Sequence, residues 1–115
     1  MDKKTDKSLI TMLGPESVFE GTIRVPHTLR IDGVFKGKIE TAGMLTIGNE
    51  GRVEASIIAK SAIIGGKVAG NVIVEERVVL ESSSSLVGDL RTRDLVINEG
   101  AIFHGKCSMK DGQNG

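Results

Sequence analysis

The chain has 115 residues, enough for one domain with one core, and its 15 Lys and Arg balance its 15 Asp and Glu. This balance leaves no overall field that would draw the chain to nucleic acid, and the absence of Trp and Tyr argues against recognition by aromatic stacking. The apolar runs are far shorter than the roughly 20 residues that span a bilayer, and no secretory leader pattern is present. With Cys107 as its single cysteine, the chain is expected in a reducing cytoplasm.

The first predicted element is an N-terminal tail over residues 1–17. It begins with basic side chains and continues with apolar ones: Lys3, Lys4, Lys7, Leu9, Ile10, Met12 and Leu13. This pattern predicts contact with a membrane, because the apolar side chains can enter the interface and each Lys near an anionic surface adds about 1 kcal/mol. Asp2 and Asp6 oppose that attraction. The alternative is a disordered tail whose part from Leu9 to Leu13 folds onto the first coil.

From residue 19 onward, a five-residue phrase recurs with apolar ends and usually a central glycine. Its six copies are FEGTI (19–23), FKGKI (35–39), VEASI (53–57), VAGNV (68–72), LVGDL (86–90) and FHGKC (103–107). A second phrase lies between them, as LRI (29–31), LTI (45–47), AII (62–64), VVL (78–80) and LVI (95–97). Both phrases recur every 15 to 18 residues and alternate with period two, which is typical of β-strands.

The links between the phrases predict the corners of a repeating coil. They are rich in Gly, Asn, Glu and Ser, and they span residues 32–34, 48–52, 65–67, 81–85 and 98–102. A unit of this length holds about three short strands with their corners. Stacking such units in parallel predicts an all-β fold, a β-solenoid of about six coils over residues 18–109, with short disordered termini including residues 110–115.

The central glycines are expected to point into the solenoid. If the first, third and fifth residues of each phrase face inward, large side chains fill a narrow lumen and the middle position must stay small. The inward middle column would contain Gly21, Gly37, Ala55, Gly70, Gly88 and Gly105. A larger side chain there would overpack the lumen at a cost of about 1–3 kcal/mol. The alternative is that these glycines mark β-bulges.

Five branched apolar residues interrupt the otherwise polar outward columns. They are Ile58, Ile63, Ile73, Val79 and Val96. One hypothesis is an apolar stripe for lateral association or for a partner protein. The alternative is the ordinary preference of branched residues for strands.

Neither end of the predicted solenoid carries a cap. The flank at 13–17 has no helical pattern, and the polar, glycine-rich residues 110–115 are too few to cover a terminal rung. Because an open strand edge is a template for pairing with another chain, we expect end-to-end stacking into a filament, with the chain itself as the main partner.

The ordered phrases resemble the bactofilin family of bacterial polymer-forming cytoskeletal proteins over residues 12–109. The resemblance is carried by MLGPESVFEGTI, LRIDGVFKGKI, LTIGNEGRVEASI, VAGNV, VGDL and INEGAIFHGKCSM. It implies a right-handed triangular β-helix, and filaments that form without nucleotide. It also implies a scaffold that binds the cytoplasmic face of the inner membrane through an N-terminal peptide and recruits cell-wall-remodelling or polar proteins. In the family, apolar contacts at the terminal coils carry assembly, which here implicates Val18, Phe19, Ile23, Ile102 and Phe103.

No residue pattern indicates catalysis, a cofactor or a metal. His27, His104 and Cys107 are too few for a zinc site, and Cys107 occupies an inward column, where a small buried hydrophobe is expected. The serine run at 82–85 lacks the His and Asp of a triad, and the turns lack phosphate-loop spacing. We therefore predict that the chain is not an enzyme.

Two other β-solenoid classes are less consistent with the pattern. A hexapeptide-repeat acyltransferase needs a six-residue period and a catalytic His at a coil junction, and the five-residue corners break such a period. A non-polymerising binding module, such as an ice-binding or adhesion solenoid, would show a ladder of Thr-x-Thr on a flat face, whereas the outward columns here are mixed. The scaffold interpretation is therefore preferred.

Overall fold

The computed structural model describes residues 10–109, which form ten β-strands and no helix. The strands are β1 (Ile10–Leu13), β2 (Val18–Val25), β3 (Thr28–Ile31), β4 (Val34–Thr41), β5 (Met44–Ile47), β6 (Arg52–Ile64), β7 (Lys67–Leu80), β8 (Ser85–Thr92), β9 (Asp94–Ile97) and β10 (Ile102–Met109). Every strand pairing within these residues is parallel.

The strands stack as the rungs of a parallel β-solenoid, which confirms the predicted fold. One stack runs β2-β4-β6-β7-β8-β10, and the other runs β1-β3-β5-β6-β7-β9. The long strands β6 and β7 bend around a corner and therefore take part in both stacks. Six rungs in each stack are separated by five steps, so the rod makes about five turns.

The observed register is the predicted one. Along the first phrase the pairs are Phe19↔Phe35, Phe35↔Val53, Val53↔Val68, Val68↔Leu86 and Leu86↔Phe103. Along the second phrase they are Ile31↔Ile47, Ile47↔Ile64, Ile64↔Leu80 and Leu80↔Ile97. The spacing of the apolar residues specifies this register, because a slip of one residue would turn every buried side chain to solvent.

Each turn presents three faces to solvent, which we number in chain order. In the coil made by β4 and β5, the first face contains residues 34–36, the second face 38–41 and the third face 44–47, and the register extends these faces to the other coils. Inward side chains of all three faces form one apolar core. Near one end of that core, the rings of Phe19 and Phe35 stack with centroids 4.9 Å apart and planes 10° apart.

The predicted corners are present and are closed by hydrogen bonds. Three of them contain a turn in which an N–H donates to the carbonyl three residues earlier: Gly51 to Gly48, Ser84 to Glu81 and Ala101 to Asn98, at 2.9–3.0 Å. A turn of the same kind, from Ser17 to Gly14 at 3.1 Å, precedes β2. The corner after the second face contains buried hydroxyl groups. Thr41 Oγ1 donates to the carbonyl of His27 and accepts from the N–H of Gly43, which satisfies a buried polar group.

The interpretation of the phrase glycines as lumen residues is wrong. Five of them have φ angles of 130° to 142°, a region that side chains other than glycine's rarely adopt. At Gly37, for example, a Cβ would overlap the carbonyl oxygen of Gly21 on the preceding rung. Gly37 is itself exposed, between buried Phe35 and buried Ile39, so the inward–outward alternation breaks there and the chain bends from the first face to the second.

The glycine bends are not bulges either, because Gly21↔Gly37 and Gly88↔Gly105 pair one to one. The register shift of the solenoid lies elsewhere, between Ala59 and Ser61. The middle residue of the phrase points inward, as predicted, only in the third copy, where Ala55 is buried.

We predict that Gly88→Ala lowers the free energy of unfolding by at least about 2 kcal/mol, because it combines an unfavourable φ with overlap of the Gly70 carbonyl. Gly14→Ala is the matched control: a Cβ there meets nothing nearer than Ser17 Oγ at 4.0 Å, and we expect a change below about 1 kcal/mol. Chemical denaturation followed by circular dichroism measures both. Equal stability of the two variants would contradict the explanation of the glycine bend.

Candidate functional site

The two ends of the rod present strand edges that have no partner within residues 10–109. At one end, β2 pairs with β4 and β1 pairs with β3; at the other, β10 pairs with β8 and β9 pairs with β7. The outer side of each terminal strand therefore offers N–H and C=O groups to a further strand. Such an edge favours pairing with another chain unless it is covered.

The predicted polymer-interface residues lie on the rungs at these edges, in two inward columns and one outward column. Phe19 and Phe103 are the first and last members of an inward column, and both are half-buried, whereas the column is fully buried between them. Ile23 is likewise half-buried at the first rung. One additional rung at either end would cover these side chains, as the internal rungs cover their neighbours.

Val18 and Ile102 belong to an outward column of the first face. They are 70% and 58% exposed, and they stand at opposite ends of that column. Between them the column contains Arg52 and Lys67, which are exposed and charged. The column is therefore apolar where the rod ends and charged at its middle, which is the arrangement expected if its ends are contact surfaces.

The prediction that Cys107 is buried is wrong. Cys107 does continue the inward column after Leu90, but it lies on the last rung and is exposed because no further coil covers it. Partial burial against its neighbours raises the pKa of its thiol by desolvation, so less thiolate is present at neutral pH. A raised pKa does not favour a nucleophilic role.

The five outward apolar residues lie on two faces and do not form one stripe. Ile58 and Ile73 are directly paired on the second face and are 48% and 40% exposed. Ile63, Val79 and Val96 form a separate stack on the third face, where Val96 is exposed and the other two are half-buried. The corner at residues 60–61 separates the two sets.

Two shallow grooves border these stacks. A groove of about 750 Å³ lies beside Ile58 and Ile73, with Arg24 and Glu40 among its lining residues. A second, of about 520 Å³, lies beside Ile63 on the third face. There, Arg30 Nε donates to Asp32 at 2.9 Å, and this hydrogen bond raises the pKa of Arg30.

The described residues do not bring together a catalytic or metal-binding constellation. His27 lies in a corner and His104 is on the last rung, and no group of three or more His, Cys, Asp or Glu within residues 10–109 is placed to hold a metal ion. The ion pair in which Arg24 Nε lies 3.2 Å from Glu40 Oε1 is exposed, and pairs of this kind contribute under about 1 kcal/mol.

Of the residues predicted to contact a membrane, only three lie in the described part of the chain. Ile10, Met12 and Leu13 form most of β1, which pairs with β3 from Ile10↔Thr28 to Leu13↔Ile31. Lys3, Lys4, Lys7 and Leu9 lie outside the described residues. This pairing agrees with the alternative given for the tail, in which its last apolar residues fold onto the first coil. The sequence signal for it is that Leu13 precedes Ile31 by 18 residues, a spacing within the range of the repeat. Over residues 10–109 the structure contains no helix that is long and apolar enough to cross a membrane.

Comparison with known proteins shows several relatives. The family model described as "Bactofilin: Polymer-forming cytoskeletal" matches residues 11–108. Bactofilin BacO of Myxococcus xanthus (strain DK1622) is 32% identical over 108 residues, which cover 94% of this chain and 86% of BacO. Bactofilin BacP of the same strain is 31% identical over 105 residues, or 91% of this chain but 44% of BacP, so the chain spans less than half of that relative.

A solved structure is similar in both fold and sequence. It is described as a cryo-EM reconstruction of Thermus thermophilus bactofilin double helical filaments, and it superposes with a TM-score of 0.81 at 35% identity. The match covers 84% of this chain and 96% of the Thermus chain. With the family model spanning nearly all of the described rod, the chain belongs to the bactofilin family of polymer-forming cytoskeletal proteins.

Proposed function

We propose that this chain is a bacterial cytoskeletal scaffold that polymerises end to end, without nucleotide, by covering the open edges of its terminal rungs with those of further copies. The proposal rests on the open strand edges and the incompletely buried apolar side chains at the two ends of the rod. Both present unpaired strand edges within the described chain, and both place a half-buried Phe of the inward column at the edge, Phe19 at one end and Phe103 at the other. The relative described as forming filaments supports the same mode of function.

The contact between the terminal rungs of two copies would be stabilised in the same way as the contact between neighbouring rungs inside the rod, by apolar burial and backbone hydrogen bonds. Burying a large apolar side chain completely is worth about 1.5–3 kcal/mol, and a side chain that is already half-buried gains roughly half of that. At each edge the apolar gain is accompanied by backbone hydrogen bonds along an eight-residue strand, β2 or β10. This mechanism needs no hydrolysable ligand, because the attraction is a property of the folded subunit.

Phe103→Arg is predicted to abolish filaments while leaving the rod folded, because it places a charge where the next copy would bury an aromatic ring. The matched control is Val87→Arg, which introduces the same side chain at a 50% exposed outward position one rung away. Electron microscopy of the purified protein without nucleotide, with circular dichroism as the folding check, measures the outcome. Filaments that persist in Phe103→Arg, or disappear equally in Val87→Arg, would refute the terminal contact.

The proposed scaffold acts in the cytoplasm, at the cytoplasmic face of the inner membrane, where it recruits cell-wall-remodelling or polar proteins. The N-terminal segment supplies the membrane contact, with Lys3, Lys4 and Lys7 directed to anionic lipid. Three lysines at about 1 kcal/mol each give only weak binding for one subunit. A filament presents many such segments together, so polymerisation converts a weak contact into stable attachment.

We predict that replacing Lys3, Lys4 and Lys7 by Gln reduces co-sedimentation with anionic vesicles several-fold and leaves filaments intact. A variant with Lys36, Lys60 and Lys67 replaced by Gln is the matched control, since it removes the same charge from exposed positions along the rod. Vesicles of purely zwitterionic lipid should pellet neither protein. Equal binding by the two triple variants would count against the N-terminal contact.

A further inference from the structure

We propose that the second face of the rod is a self-complementary surface on which another copy of the chain binds side by side in antiparallel orientation. The two-fold axis of this contact would lie across the rod, parallel to the strands, between the rungs of β6 and β7. The inference goes beyond end-to-end assembly, because it concerns the sides of the rod and does not depend on its open edges.

The second face carries two outward columns whose members are all exposed. From the first rung to the last, one column contains Arg24, Glu40, Ile58, Ile73, Arg91 and Ser108. The other contains Thr22, Lys38, Ser56, Asn71, Asp89 and Lys106. Both columns flank the same buried column of Ile39, Ile57, Val72 and Leu90, so their side chains leave the sheet in the same direction.

An antiparallel two-fold contact sets each column against itself in reverse order, so that the third rung of one copy faces the fourth rung of the other. In the first column, Ile58 then faces the partner's Ile73, and Glu40 faces the partner's Arg91. Each contact occurs twice by symmetry. The apolar pairs lie at the centre, and opposite charges lie on both sides of them.

The second column is complementary under the same operation. Lys38 faces the partner's Asp89, and Ser56 faces the partner's Asn71, which can exchange hydrogen bonds. Neither of these pairs brings like charges together. The isoleucines therefore gain an apolar partner, and the charged residues beside them face charges of opposite sign.

The other two faces are not complementary in this way. On the first face, the same operation sets Arg52 against the partner's Lys67, a like-charge contact at the centre. On the third face, the same axis between the rungs of β6 and β7 sets Ile63 against the partner's Val79, but both side chains are already half-buried. No pair of opposite charges flanks this contact, because Thr46 then faces the partner's Val96. A parallel arrangement on the second face would also pair opposite charges, but it would place Ile58 against the partner's Ser56 and leave the apolar surface unmatched.

The size of the surface predicts when pairing appears. Six rungs at about 4.8 Å, each presenting about four residues at about 3.4 Å, give roughly 400 Å² for each copy. A stable pair of separate proteins usually buries about 800 Å² on each partner. Single subunits should therefore pair weakly, whereas two filaments should pair firmly because the contact repeats along their length.

Charge reversal tests the contact in filaments. By electron microscopy we expect the native chain to form paired filaments, and we expect Glu40→Arg and Arg91→Glu each to reduce the paired fraction at least tenfold. The double variant should restore pairing, because the two charges oppose each other across the interface. Ile63→Lys combined with Val79→Lys is the control on the third face and should still pair. Native filaments that stay single, a double variant that is not restored, or loss of pairing in the third-face control would overturn the inference.

Disulfide trapping tests the side-by-side contact in chains that do not form filaments. The yield of cross-linked dimers can therefore be measured even if end-to-end assembly does not occur. In a Phe103→Arg and Cys107→Ser background, mixing Ile58→Cys chains with Ile73→Cys chains should give mixed dimers at least fivefold above a Val87→Cys control, which lies on the first face. Mixing Ile58→Cys with Ser56→Cys chains should give fewer. Equal yields from Val87→Cys, or a preference for the pairing with Ser56→Cys, would contradict the antiparallel contact.

Discussion

Each coil of this rod is completed only by the coils before and after it. The ladder hydrogen bonds run from coil to coil, as from the Val34 N–H to the Ser17 carbonyl and from the Arg52 N–H to the Gly33 carbonyl, both at 2.9 Å. The inward side chains follow the same rule, since the Phe35 side chain is buried between Phe19 and Val53. In such a rod, whatever its length, the first and last coils each lack a neighbour on one side. Assembly with further copies supplies the missing hydrogen bonds and apolar contacts.

The glycine bends keep the coils close enough for this constraint to operate. At Gly37 and Gly88 the backbone turns from the first face to the second with φ near 130°, directly against the carbonyl of the preceding rung. A side chain there would force the rungs apart, weakening both the ladder and the apolar column. The same bends separate the faces, so that the first face becomes charged at its middle while the second presents Ile58 and Ile73. Backbone geometry therefore decides which residues meet a neighbouring rod.

Much of the fold could be predicted from the sequence, because the apolar residues recur at regular intervals along the chain. The first residues of the phrase, from Phe19 to Phe103, recur every 15 to 18 residues with alternating neighbours, and only one register turns them all inward. The role of the glycines could not be read in the same way, since a small residue in a fixed column fits either a narrow lumen or a positive φ. Cys107 was placed in its correct column, but its exposure depends on lying in the last rung. The lateral surface was the least predictable part, because the position of the corners decides which outward residues share a face.

The terminal edges of the rod are expected to be open in the isolated subunit and covered in the polymer. Hydrogen–deuterium exchange resolved along the chain tests this expectation, by comparing filaments of the native chain with the Phe103→Arg chain, which is expected not to polymerise. We expect the amides of β2, far from the substitution, to exchange rapidly in the isolated subunit and to become protected in filaments, while the central rungs of β6 and β7 stay protected in both. Equal protection of β2 in the two states would show that its edge is already covered within one chain, and would contradict the account.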